Sequence, residues 1–173
     1  IRNPPGGGDR TFRFDTSAPS VGVSAPASPP ANPPYSNEAV NLEATRVSTY
    51  TWGAVSESGA QASGITELWV AFSSAPNYNT WWSTVTNNFS VAQAGIYWST
   101  EVFRGPQWSY KPVGWNSGSL TDGITYKVFV RARDAAGNWS STETNPNAFP
   151  AGNLQQFLYD VSRPTSAVAS PAN

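Results

Sequence analysis

The chain of 173 residues contains no cysteine, no histidine and no methionine. Without cysteine there is no disulfide, no thiol nucleophile and no cysteine-zinc site. Without histidine the commonest metal ligand and the side chain that titrates nearest neutral pH are both missing, so a serine-hydrolase triad cannot be assembled in its usual form. Charge is scarce as well. Ten basic and eleven acidic residues make up 12 % of the chain and leave a net charge of −1. Neither sign clusters, so there is no electrostatic footprint for nucleic acid or an anionic membrane. No apolar run approaches the roughly 18 residues of a membrane span. Ile1 is neither an initiator methionine nor the start of a signal peptide, so the numbered chain reads as a processed or excerpted piece.

What is present is aromatic and turn-forming. Eight Trp, seven Tyr and eight Phe stand among 14 Gly and 15 Pro. The aromatics argue against global disorder, and the glycines and prolines argue for many turns, which together make a β-rich composition. The length suits one domain with a core that needs no covalent staple. Low charge with abundant Ser, Thr, Asn and Gln suits an exported protein.

One stretch occurs twice. Residues 12–28 and 157–173 align without a gap and are identical at seven positions: Phe12/Phe157, Asp15/Asp160, Ser17/Ser162, Pro19/Pro164, Val23/Val168, Pro26/Pro171 and Ala27/Ala172. The offset is 145 residues. This spacing predicts one period of a tandem array. Residues 1–15 are then the end of a preceding repeat and its linker, 16–160 the module, and 161–173 a linker and the start of the next repeat.

Periodicity places the strands. Thr11–Asp15 reads as a strand of the preceding repeat and Ser20–Ala25 as a short first strand. Pro26, Pro29, Pro30, Pro33 and Pro34 keep the following backbone out of a central ladder. Val47–Val55 puts Tyr50, Trp52 and Ala54 on one face and Thr49, Thr51 and Gly53 on a polar one. Ser56–Gly64 is a turn. Ile65–Ser73 alternates Leu68, Val70 and Phe72 against Glu67, Trp69 and Ala71. Ser74–Gly118 dissolves into aromatic pieces, read as two or three short strands with long loops. Leu120–Gly123 turns the chain into Thr125–Asp134, where Tyr126, Val128, Val130 and Ala132 oppose Lys127, Phe129, Arg131 and Arg133. Asp134–Asn138 is a turn of Asp, Gly and Asn chemistry, and Leu154–Asp160 closes the module. No segment keeps helical periodicity over two turns.

The run Tyr126–Asn138, followed by Phe157–Thr165, resembles the last two strands and linker of bacterial immunoglobulin-like and fibronectin-III-like tandem repeats of large extracellular surface proteins. The family pattern is an alternating strand ending in Arg-Ala-x-Asp-x-Ala-Gly-Asn, then a short strand ending in Asp-Thr-x-x-Pro. The first linker copy, Asp15-Thr16-Ser17-Ala18-Pro19, is the closer match to it. The resemblance covers about half the chain and implies an all-β, antiparallel, immunoglobulin-like β-sandwich with an enlarged aromatic-rich insertion. A plain domain of that kind needs only about 100 residues. The surplus therefore falls in the proline-rich segment and in Ser74–Gly118.

Several chemistries compete with structural roles. A glycosidase needs two carboxyl groups across a cleft, but Asp122 and Asp134 are explained as turn residues and Glu67 as a strand's solvent face. Trp81, Trp82, Trp98, Trp108 and Trp115 could stack on sugar rings or could fill a core or an interface. Adjacent Trp81 and Trp82 point to opposite faces of a strand, so at most one belongs to a flat platform. In arrays of the resembled family, carboxylates at the module junction can bind calcium, which makes Asp15, Asp134 and Asp160 candidate ligands beside turn and capping roles. Asn88-Phe89-Ser90 and Asn138-Trp139-Ser140 fit a glycosylation acceptor pattern. The expected function is that of a non-enzymatic structural module of an extracellular filament, stalk or surface layer. Its partners are copies of itself, joined through Asp15, Pro19, Asp160 and Pro164, without nucleic acid or membrane insertion. The alternative is a carbohydrate-binding or adhesive module on a polysaccharide.

Overall fold

A computed structural model describes residues 14–24, 51–101, 106–110, 112–115 and 118–159. These residues form strands β1 (Ser20–Val21), β2 (Thr51–Ser56), β3 (Ile65–Ser74), β4 (Thr80–Ser83), β5 (Asn88–Ala92), β6 (Ser99–Glu101), β7 (Gln107–Tyr110), β8 (Ile124–Asp134) and β9 (Leu154–Tyr159), with one short 3-10 turn at Ala151–Asn153. Every pairing between these strands is antiparallel. Two sheets result, one in the order β1-β2-β7 and a larger one in the order β5-β4-β3-β8-β9. Because β8 covers one edge of β3 from end to end, β4 and β6 share the other edge. The fold is an all-β sandwich, as the alternating strands require.

The long strands work as read. Along β8 the side chains alternate with period two, sending Tyr126, Val128, Val130 and Ala132 to the interior between the sheets. Leu68, Val70 and Phe72 of β3 meet them there, and Val21, Val55, Trp108 and Tyr110 close over them from the smaller sheet. Each such side chain removed from water contributes about 1.5–3 kcal/mol. Aromatic rings extend this core toward β4 and β5. Phe72 lies 5.1 Å from Trp115, Trp115 4.7 Å from Trp82, and Tyr126 stacks on Phe157 at 5.6 Å between centroids.

The opposite face of the larger sheet is not bare. Ala71 and Phe129, one position out of phase with the inner set, join Trp81, Ile96 and Phe149 in a second buried cluster. Its cover is irregular chain, tied down by Gln93 N–H donating to the Asn79 carbonyl at 2.9 Å and Ile96 N–H donating to the Thr144 carbonyl at 3.3 Å. Trp81 and Trp82 do point to opposite faces, and each finds a core of its own.

Four expectations need correction. Val55 and Gly53 face the interior in β2 and Ala54 faces solvent, the reverse of the assignment made from Tyr50, Trp52 and Ala54. Gly53 is inside where Gly22, just after β1, crosses it closely. A Cβ there would collide with the Gly22 carbonyl oxygen and come within 2.8 Å of Trp108 Nε1. Among the described residues the first strand is only Ser20–Val21, and the aromatic insertion holds four short strands, β4 to β7. Phe14 and Asp15 are not in a strand, whereas residues 11–13, the proline-rich segment and Val47–Tyr50 lie outside the described residues.

Candidate functional site

Three carboxylates meet at one end of the sandwich. Asp15, Glu57 and Asp134 each offer an oxygen, and these oxygens lie within 4.8 Å of one another. They come from far apart: Asp15 precedes β1, Glu57 follows β2, and Asp134 ends β8. Antiparallel pairing brings the latter two together, because the end of β8 is registered with Ile65 at the start of β3, directly after the Ser56–Gly64 turn.

Hydrogen bonds fix the arrangement. Asp134 is 2 % exposed and accepts from Asn138 N–H and from Asn138 Nδ2, both at 2.8 Å. That closes the Asp134–Asn138 turn, whose Gly137 takes a φ of 96° that only a residue without Cβ adopts freely. The turn is bound to the neighbouring one by Ala135 N–H donating to the Gly64 carbonyl at 2.8 Å and Ala136 N–H donating to Ser63 Oγ at 3.0 Å. Glu57 accepts from Gly64 N–H at 2.6 Å and Ser63 N–H at 3.2 Å.

Asp15 is seated on this platform. One of its oxygens accepts from Ser17 N–H and the other from Ser63 N–H, each at 2.9 Å. Its carbonyl accepts from Asn138 Nδ2 at 3.2 Å. Ser17 N–H foremost, then Ser63, hold the Asp15 carboxyl below its usual range. Glu57 is pushed up, first by burial and then by the Asp15 carboxyl beside it.

A calcium ion takes oxygens at about 2.3–2.6 Å, so oxygens sharing one can stand no more than roughly 5 Å apart. The three carboxylates meet that limit and are the hard donors such an ion requires. Asp15 and Asp134 are two of the three candidate ligands read from the sequence. The third, Asp160, lies outside the described residues, as does Pro164. Pro19 is buried just beyond Asp15. Glu57 was not read as a ligand, since it stands alone in a Ser- and Gly-rich turn. The nearest sequence signal for it was its position at a strand's end.

The aromatic candidates lie elsewhere. Trp81, Trp82, Trp108 and Trp115 are all 5 % exposed or less. They fill the two cores, so no sugar-stacking platform is formed by them. Trp98 is half-buried. It packs on Phe149 and covers the Arg131 guanidinium at 4.5 Å, with Trp69 and Trp139 at 4.5 and 4.3 Å from the same cation. Arg133 reaches Glu67 at 3.1 Å beside them. Of the two acceptor motifs, Asn138 has its amide engaged by the Asp15 carbonyl and the Asp134 carboxylate, while Asn88 is exposed. An open cleft of about 670 Å³ lies between Asn77, Asn79, Gln93, Thr144, Asn145 and Asn147, with Ala92, Ala94 and Pro146 also in its lining.

Among the described residues no helix is long and apolar enough to cross a membrane. No protein-family model, curated protein or solved structure matches the chain.

Proposed function

We propose that the chain is a structural module of a repetitive extracellular filament, stalk or surface layer, acting through packing of each module on the next. One observation carries this reading. The Asp15 segment, which recurs 145 residues later at Asp160, is docked by three hydrogen bonds onto the Ser63 and Asp134–Asn138 turns. A linker held this firmly transmits position from one module to its neighbour, and proline at Pro19 limits bending further. The reading assigns no catalytic step.

Calcium is the junction ion in this proposal. Asp15, Glu57 and Asp134 would hold it, and it would supply charge neutralisation where the like charges meet. Negative-stain electron microscopy of the native material, with the mass of its denatured polypeptide, tests the architectural reading. Filaments from a polypeptide several times 18.5 kDa are expected. Dispersed single particles would overturn it.

A second reading, a carbohydrate-binding module, draws support from the amide-lined cleft. Its lining has no ionisable side chain, as suits a neutral polyhydroxylated ligand. A glycan array with the intact chain decides this, and absence of any bound glycan retires it.

A further inference from the structure

Phe14 is 72 % exposed, which for an aromatic side chain beside a firmly held residue asks for a reason. Its counterpart at the 145-residue offset is Tyr159. That residue is 2 % exposed, is the last residue of β9, and its carbonyl accepts from Gly123 N–H at 2.8 Å. Phe12 corresponds in the same way to Phe157, which is 4 % exposed in the inner core. The alternation that buries Phe157 and Tyr159 in β9 is therefore written again in Phe12 and Phe14, immediately ahead of Asp15.

Resting on the tandem reading, we infer that Phe14 is the last core residue of a preceding copy of the module and that successive modules are joined through a single peptide unit with no slack. The partner is a second copy of this chain's own fold, whose β8 and inner core bury Phe12 and Phe14 as they bury Phe157 and Tyr159 here. On one side of the junction the position-159 carbonyl is fixed in one module. On the other, the next residue's carboxylate is fixed to Ser63 N–H and its carbonyl to Asn138 in the following module. Consecutive Cα atoms across a trans peptide are about 3.8 Å apart. Since the peptide bond itself is rigid and the held position-159 carbonyl sets ψ of the first residue, φ of the second is the main soft torsion between the two anchors. A hinge of one principal dihedral, bounded by sterics, leaves neighbouring modules a narrow range of relative orientation. The proline-rich stretch follows Asp15 by ten residues and more, so it lies inside the module's span and does not lengthen the junction.

The test is a tandem chain in which Tyr159 of one full copy is followed directly by Asp15 of a second. The absence of cysteine allows one spin label per copy at Val85→Cys, a position 82 % exposed. Electron–electron resonance then gives the distribution of distances between labels. The expected result is one narrow peak that broadens when Gly-Ser-Gly-Ser is inserted between Tyr159 and Asp15. Four flexible residues add about 11 Å of root-mean-square reach, and Asp15→Ala in the second copy should broaden the peak by less. An uninterrupted tandem as broad as the one with the insertion would overturn the inference. Since the insertion lies between modules, thermal melting of each variant separates loss of coupling from loss of folding. A broad peak together with native filaments sinks the single-peptide junction alone. A narrow peak with native material that is dispersed sinks the architectural reading alone.

Discussion

The two faces of the larger sheet bury aromatic residues by different means. On the inner face, β3 and β8 meet a second sheet, and Val70, Val128 and Val130 lie fully buried against strands whose own backbone bonds are satisfied in ladders. On the outer face the same two strands send Ala71 and Phe129 into a cluster roofed by loop residues such as Ile96 and Phe149. The inner cover is held by regular pairing. The outer one is held by scattered bonds such as Trp81 Nε1 donating to the Gln93 carbonyl at 3.1 Å. Equal burial thus does not mean equal cooperativity, because a loop roof can open while a sheet cannot.

The sharpest way to break this contrast is a pair of truncations. Trp82→Ala, in the inner core, should cost about 3–5 kcal/mol and lower the midpoint of global denaturant unfolding. Phe149→Ala, under the roof, should cost on the order of 1–2 kcal/mol, because the loop can partly collapse into the space. Its main effect should be faster amide exchange at residues 141–150. Equal losses of global stability from the two would show a single cooperative core.

Gly53→Ala attacks the inner face at its closest backbone approach. The added methyl meets the Gly22 carbonyl and Trp108 Nε1. About 1–3 kcal/mol of destabilisation is expected, seen as a lower melting temperature with amide exchange rising first around β1. On the outer face, Arg131→Gln removes the cation ringed by Trp69, Trp98 and Trp139. Cation–π contacts contribute about 0.5–2 kcal/mol, so a loss of that size is expected, with a change in tryptophan fluorescence.

The smallest effect belongs to the junction, which is part of neither core. Asp15 has a lowered pKa, so its contribution to stability is present above the ordinary carboxylate range and lost as pH falls through the lowered value. Glu57 has a raised pKa, so its contribution is present below that range and lost as pH rises through the raised value. A shallow stability optimum in weak acid follows. Glu57→Gln should raise the melting temperature slightly at neutral pH and flatten its decline above the optimum. Millimolar calcium should do the same for the unsubstituted chain, and chelator should reverse it. A melting temperature indifferent to calcium would remove the ion from the proposal.

Legibility in the sequence followed the length of uninterrupted pattern. The alternation from Tyr126 to Ala132 placed β8, and the Leu68, Val70 and Phe72 set placed β3, because each strand is long enough for period two to repeat. Gly53 was misplaced because a buried glycine carries no hydrophobic signal; what decides its side is the chain crossing over it. Adjacent Trp81 and Trp82 were seen to diverge, yet the outer core was not foreseen, since its roof consists of loops without period. Asp15 and Asp134 stood out through turn and linker chemistry. Glu57 joins them only through the pairing of β3 with β8, a contact between distant segments that no local pattern records.

Strand β8 also has a mechanical meaning. Its Asp134 end carries the turn that holds Asp15, and its Ile124 end is registered with Tyr159, where the chain leaves β9. Eleven residues at about 3.3 Å each span roughly 36 Å, so in the proposed array one strand would run from a module's incoming attachment to its outgoing one. Tension along an array would draw Tyr159 lengthwise past β8 and load all six β8–β9 register pairs together in shear, where peeling would open them one at a time. The strand that the sequence announces most clearly would thus be the tie rod of the proposed array.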